Sequence, residues 1–225
     1  MDALIAAAAV FVGLHLIPST PARGWIAGSL GENVYLGLFS IASVVGLVWL
    51  ILAYRTAPHV EIWQAGAALG RAPAIVMPIA FVLLVCGYTT RNPTAVRQHQ
   101  HLQARDPAPG ILKITRHPLM WAIALWAAAH LAAKGDLAST IFFGALTGLA
   151  LFGMALQDAR KAQTLGAAWG PFALTTSAIP FLAAIQGRTK PRLGEIGRWR
   201  IAGGLALYAL VLVAHEWAFG VGALP

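Results

Sequence analysis

The sequence predicts an all-α, polytopic membrane helix bundle, and three observations carry that prediction. Of the 225 residues, 58% are hydrophobic and 11% charged, whereas an average globular chain has about a quarter of its residues charged. Mean hydropathy is +0.69, too apolar for a soluble surface of this size. The apolar residues also gather into runs of the length that a helix needs to cross about 30 Å of hydrocarbon. Together these exclude a disordered chain. A disulfide scaffold is excluded as well, since Cys86 is the single cysteine.

Six stretches qualify: Ala3 to Ile17, Val34 to Tyr54, Ala72 to Tyr88, Pro118 to Ala133, Leu137 to Gln157 and Ile201 to Phe219. The first resembles a secretory leader in length, but its start is Met-Asp with no positive charge and His15 interrupts its end, so a retained helix is expected. The third carries Pro73 and Pro78. Helix is still expected there, because backbone in lipid must satisfy its own hydrogen bonds. The segment 167–185, with Trp169, Pro171, Phe172, Pro180 and Phe181, is apolar but punctuated. It reads as an interfacial or re-entrant piece, a seventh span being the alternative. No linker or composition shift divides the chain, so one domain over 1–225 is expected.

The net charge of +8 acquires meaning from its placement. With six spans, Pro18–Asn33, Thr89–His117 and Asp158–Arg200 share one side and hold 13 of the 16 Lys and Arg residues; Arg55, Arg71 and Lys134 lie on the other. The positive-inside bias puts the long loops in the cytoplasm and both termini in the periplasm of an inner membrane. The basic balance thus reports topology rather than nucleic acid.

Polar residues at lipid depth are functional hypotheses by default. His15, His130 and His215 qualify, the plain alternative for each being a neutral imidazole bonded to a neighbouring helix. Counted at 1.5 Å per residue, His15 is about 18 Å from the outer boundary and His130 about 18 Å from the inner one. Across a core of about 30 Å their heights differ by about 6 Å, within reach of one metal. Two imidazoles without nearby carboxylate or thiolate suit haem iron better than hydrolytic zinc. Leu14, Leu125, Trp126 and Phe11 would supply apolar walls. His215, beside Glu216, is the reserve ligand. Arg116 and His117 stand before Pro118, which suits a first helical turn. They are candidates to hold an acidic group, with Asp158 and Arg160 joining the cluster; a salt bridge pinning two helix ends is the equal alternative. Cys86 is given no role.

These residues resemble a known family. The run Gly110-Ile-Leu-Lys-Ile-Thr-Arg-His-Pro-Leu-Met-Trp-Ala-Ile-Ala-Leu-Trp-Ala-Ala-Ala-His130-Leu is similar to the central signature of the NnrU family of bacterial inner-membrane proteins. His15-Leu-Ile-Pro-Ser19, Leu30-Gly-Glu-Asn-Val-Tyr35, Phe39-Ser40, Tyr54-Arg-Thr-Ala-Pro58 and the His215 to Gly220 ending also look like it. The resemblance implies an association with nitrite and nitric oxide metabolism. It also implies kinship with zeta-carotene isomerase, a membrane haem b enzyme that turns a cis double bond trans. On that kinship His15 and His130 correspond to the proposed axial ligands, His117 to the Arg-His-Pro histidine, and Asp158 and Arg160 to an Asp-x-Arg pair. A further histidine of the isomerase's fifth helix has no counterpart; the chain there reads Gly148-Leu149-Ala150-Leu151. Isoprenylcysteine-type membrane methyltransferases also carry Arg-His-Pro at a helix entry. Here, however, Asp158 stands where a Glu pair is expected, and Trp169 and Phe172 where tyrosines are. The functions implied are a haem b protein of nitrogen-oxide or polyene cis-trans isomerisation chemistry, a non-catalytic partner or assembly factor of a nitrogen-oxide reductase, and a methyltransferase.

Overall fold

A computed structural model describes residues 1–222 and forms a helical bundle. Its long helices are α1 (Asp2–Leu16), α3 (Glu32–Thr56), α5 (Ala72–Thr89), α6 (Pro118–Lys134), α7 (Leu137–Leu165) and α11 (Arg198–Phe219). Between them lie α2 (Pro21–Leu30), α4 (Gly66–Gly70), α8 (Gly170–Thr175), α9 (Leu182–Ile185) and α10 (Leu193–Ile196). Five of the six long segments are long and apolar enough to cross a membrane. The sixth, α6, has 17 residues, about 26 Å, and is packed between α5 and α7. Exposed Ile41, Val44, Val45, Phe152, Leu210 and Val213 line the outside of the bundle, as expected where the solvent is lipid. The expectation for the C-terminal end itself falls on 223–225, outside the described residues.

Two groups of helices share α7. On one side α1 packs on α3 and α7; on the other α6 packs on α5 and α7, and α11 packs on α5. Leu4, Phe11, Leu50, Phe142 and Phe143 form the core of the first group, and Leu83, Leu112, Trp169 and Phe172 a core under the loops of the second. Helix α11 approaches α5 closely because Gly204 faces its backbone: a Cβ there would fall 2.5 Å from Val82 Cα. Pro78 inside α5 removes the N–H that would bond to the Ala74 carbonyl. That orphaned oxygen accepts instead from the Tyr208 hydroxyl of α11, at 3.4 Å.

The ends of the bundle are tied differently. At one end a chain segment lies against the α6–α7 turn: Ile62 and Trp63 N–H donate to the Gly135 carbonyl and Leu137 N–H to Val60. Asp136 caps α7, accepting from Ser139 N–H at 2.8 Å and its hydroxyl at 2.6 Å. At the other end the 90–117 loop, the end of α7 and the 166–197 segment fold together. The Thr115 hydroxyl donates to the Ala178 carbonyl, Arg116 N–H to Ser177 and Phe181 N–H to Ile114. The 167–185 segment is thus broken into short pieces docked on one face, and it does not form a spanning helix. The basic loops accordingly share one end. Helix α7 runs on past Gln157 to Leu165, 29 residues in all, about 43 Å. Asp158, Arg160 and Lys161 therefore ride on a rigid helical overhang rather than in a loop.

Candidate functional site

Arg116, His117 and Asp158 meet at this loop-rich end. Pro118 opens α6 as its type suggests, leaving His117 just outside the helix, where α7 brings Asp158 alongside. Asp158 accepts from Arg116 Nε at 2.8 Å and Nη2 at 2.6 Å through one oxygen. Its other oxygen is 2.8 Å from His117 Nε2. The remaining terminal nitrogen of Arg116 reaches the carbonyls of Thr176 at 3.1 Å and Ala173 at 3.4 Å. Arg188 joins it on Ala173, Leu174 and Thr176, so two guanidinium groups gather on the free carbonyls at the end of α8, where positive charge is favoured. Asn92 and the Thr94 hydroxyl donate to the Arg116 carbonyl, and Trp121 donates to Ala178. Arg116 is therefore engaged on the carboxylate and on backbone at once, which is the geometry of a brace between α6, α7 and the 170–178 segment.

Arg160 does not join that cluster. Two residues on from Asp158, about 200° around the helix, it lies instead within electrostatic range of Arg23, Tyr35 and Glu32, on α2 and at the start of α3. Lys161 turns toward the 90–98 stretch and donates to the carbonyls of Pro93 and Ala95. Asp158 and Arg160 thus serve different neighbourhoods.

Each of the three histidines turns Nδ1 to a backbone carbonyl, His15 and His130 one turn back in their own helix and His215 six residues ahead. Nδ1 of His15 lies 2.8 Å from the Phe11 carbonyl, that of His130 2.8 Å from Trp126, and that of His215 2.9 Å from Val221. A carbonyl only accepts, so Nδ1 carries the proton, and in the neutral imidazole Nε2 then keeps its lone pair. This is the tautomer that a metal-ligating imidazole needs. His15 packs against Phe11 and, edge-on, against Phe39; His130 packs against Trp126 and Phe143. Each imidazole therefore has aromatic walls, but the walls differ. His15 is 13 residues into α1, about 20 Å from its N-terminal end, while His130 is four residues before Lys134, about 6 Å from the C-terminal end of α6, and these two ends lie at the same end of the bundle. The heights then differ by about 14 Å rather than about 6 Å. The reason lies at Pro118, from which the depth of His130 is counted. Pro118 is fully buried, so α6 starts inside the bundle and its histidine rides higher. Among the other polar groups, His215 and Lys134 are within electrostatic range of His130. Among the described residues no group of three or more His, Cys, Asp or Glu is placed to hold a metal ion; haem iron needs only one or two such ligands.

The cluster of Arg23, Glu32 and Tyr35 is not anticipated by the sequence reading. The signal was present: Glu32 and Tyr35 stand beside the start of an apolar run, where polar side chains border lipid. Arg23 gave none, because its partner lies nine residues away across a turn between α2 and α3.

No curated protein and no solved structure matches the chain. The NnrU protein family model matches residues 3–223, nearly its whole length. That coverage extends from His15 through the Arg116–His117–Asp158 brace to His215, and the chain belongs to the NnrU family.

Proposed function

We propose that this NnrU protein is an inner-membrane haem b protein whose haem is ligated by intramembrane histidine, with His130 the first candidate, His15 the second and His215 in reserve. The observation that carries the reading is the fixed tautomer: His130 and His15 each commit Nδ1–H to a carbonyl and leave Nε2 as a base among aromatic rings. His130 is favoured because an apolar groove of about 260 Å³, lined by Met77, Phe81, Leu84, Ile123 and Trp126, runs beside its layer, with Trp126 5.6 Å from the imidazole. One iron shared by both histidines needs the two layers brought to the same height, which a haem on one histidine does not. When bound, the haem would supply redox chemistry on nitrogen oxides or cis-trans isomerisation of a lipophilic polyene. The protein's own part is to hold the imidazole rotamer, exclude water and present apolar walls.

Within this reading the Arg116–His117–Asp158 cluster is a brace that fixes α6, and hence His130, against α7. Its donors are already engaged inside the protein, which gives less support to an acidic cofactor group or S-adenosylmethionine at that point. A role as a partner of a nitrogen-oxide reductase is compatible with a bound haem; co-purification tests it. The deciding experiment is the absorption spectrum of detergent-purified protein, oxidised and reduced. A Soret band that is lost in His130→Ala and retained in His15→Ala is expected. No Soret band after haem supplementation refutes the reading, and so does an unchanged band in the His15→Ala, His130→Ala double variant.

A further inference from the structure

Two of the three buried side-chain polar atoms that lack a partner among the described residues belong to one place, Tyr35 Oη and Arg23 Nε. A buried unsatisfied polar atom in a native protein calls for an explanation, and two beside each other call for a shared one. Tyr35 is 6% exposed at the first turn of α3. The Arg23 guanidinium lies over its ring, 5.4 Å from the centroid, and bonds to Glu32 through Nη2. Arg160, from the overhanging end of α7, is the second cation there and makes no ion pair among the described residues. Two guanidinium groups thus stand near one carboxylate, and Arg97, bonded to Asn33 beside Glu32, adds to the positive excess. The donors in waiting are a guanidinium N–H, a phenolic O–H and a whole second guanidinium.

That set matches an oxyanion. Arg presents a planar fork to carboxylate or phosphate oxygens, and the Tyr hydroxyl supplies one more hydrogen bond. The surroundings match the interface of a membrane: on α2, Trp25 is 77% exposed, and Leu30, Val34 and Leu38 nearby are also exposed, while the Tyr35 ring continues into Phe39. We infer that Arg23, Tyr35 and Arg160 form a binding site for the oxyanionic headgroup of an amphiphile, of which a phosphodiester lipid headgroup is the simplest. Because the two orphaned atoms are shielded, the headgroup enters as the Arg23 side chain swings off the tyrosine ring. The chemistry of the headgroup fits a membrane lipid and equally the free phosphate anion, and these differ in the tail. The inference does not rest on the haem reading and is tested without haem.

The full-length protein in neutral detergent is melted by intrinsic fluorescence during titration with dioctanoyl phosphatidylglycerol, dioctanoylglycerol and inorganic phosphate. A saturable rise in Tm with phosphatidylglycerol and none with dioctanoylglycerol is expected. Inorganic phosphate matching it at the same midpoint assigns the site to a soluble oxyanion. Tyr35→Phe is the decisive variant, since deleting an orphaned hydroxyl leaves the unliganded Tm unchanged or higher. It is expected to raise the half-saturating concentration several-fold, and Arg160→Gln by roughly tenfold, the scale of one lost charged hydrogen bond. Equal responses to phosphatidylglycerol and dioctanoylglycerol overturn the inference. A Tyr35→Phe protein that melts lower yet binds as wild type does so too, because the hydroxyl then serves packing alone.

Discussion

Removing the carboxylate of Asp158 tests the brace at the loop-rich end most directly. Asp158→Ala deletes the acceptor for two Arg116 nitrogens and for His117 Nε2 in one step. Side-chain exposure there is 14% for Arg116, 16% for Asp158 and 1% for His117, so water does not replace what is lost. Breaking a buried ion pair while leaving one partner in place costs about 3–5 kcal/mol. For a chain of this length each kcal/mol moves Tm by about 2–4 °C, so a fall on the order of 10 °C is expected in detergent. Asp158→Asn keeps an acceptor and falls about half as far. Replacing both sides with apolar residues, Arg116→Met with Asp158→Leu, recovers much of the loss, since a well-packed apolar pair is often no worse than a buried ion pair. Thermal unfolding followed by intrinsic fluorescence reads all three. If Asp158→Ala melts within a degree or two of wild type, the cluster is not a brace and the reasoning fails.

Other substitutions have outcomes set by single contacts. Gly204→Ala drives a Cβ into Val82 backbone at 2.5 Å, and backbone cannot swing away. It should lower stability by about 1–3 kcal/mol, against the gain of up to about 1 kcal/mol that the same change gives in an unconstrained helix; a higher Tm would show that α11 is not seated on α5. Asp136→Ala removes the cap of α7 and the partner of the Ser139 hydroxyl, with an expected loss of about 1–2 kcal/mol, measured by the same melts. Lys113, outside the spans, has its amine held above the usual 10.5, first by its hydrogen bond to Glu195, against burial, with Asp106 adding to it. A raised folded pKa gives stability that is complete below about pH 10.5 and lost as pH rises through the folded value. Tm should therefore drop more steeply above pH 10.5 in wild type than in Glu195→Gln; equal slopes would remove the pair from the account of alkaline stability.

The helices were legible because apolar run length is a one-dimensional property, and α1, α3, α5 and α11 begin and end within about three residues of the expected bounds. The end of α7 was not, since charge marks the membrane boundary and not the helix boundary, and a helix with an exposed overhang continues past its first charged residue. Helix α2 escaped for a related reason: it is too short and polar to register as a span. Arg116, His117 and Asp158 were placed together by depth alone, and depth was sufficient because each lies at the same end. Arg160 was misassigned by the same method, for depth says nothing about direction around a helix, and two residues' difference points it to the opposite group. The height of His130 failed at Pro118, where the start of a helix was taken for the edge of the membrane. Burial of a turn by distant chain is a tertiary fact that no local pattern carries.

The position of α7 between the two helix groups has a further consequence for biogenesis. Tyr35 leaves the ribosome about 125 residues before Arg160, which at about 5–20 residues per second is on the order of ten seconds. Throughout that interval the α1–α3 hairpin stands in the membrane with its aromatic core half covered and its cationic corner incomplete. The nascent chain is then at its most vulnerable to proteolysis and to pairing with the wrong helix. Arrival of α7 covers the α1–α3 hairpin and α6 together, with α11 still to seat on α5, so truncations before Leu137 and truncations after Leu165 should differ sharply in cellular lifetime.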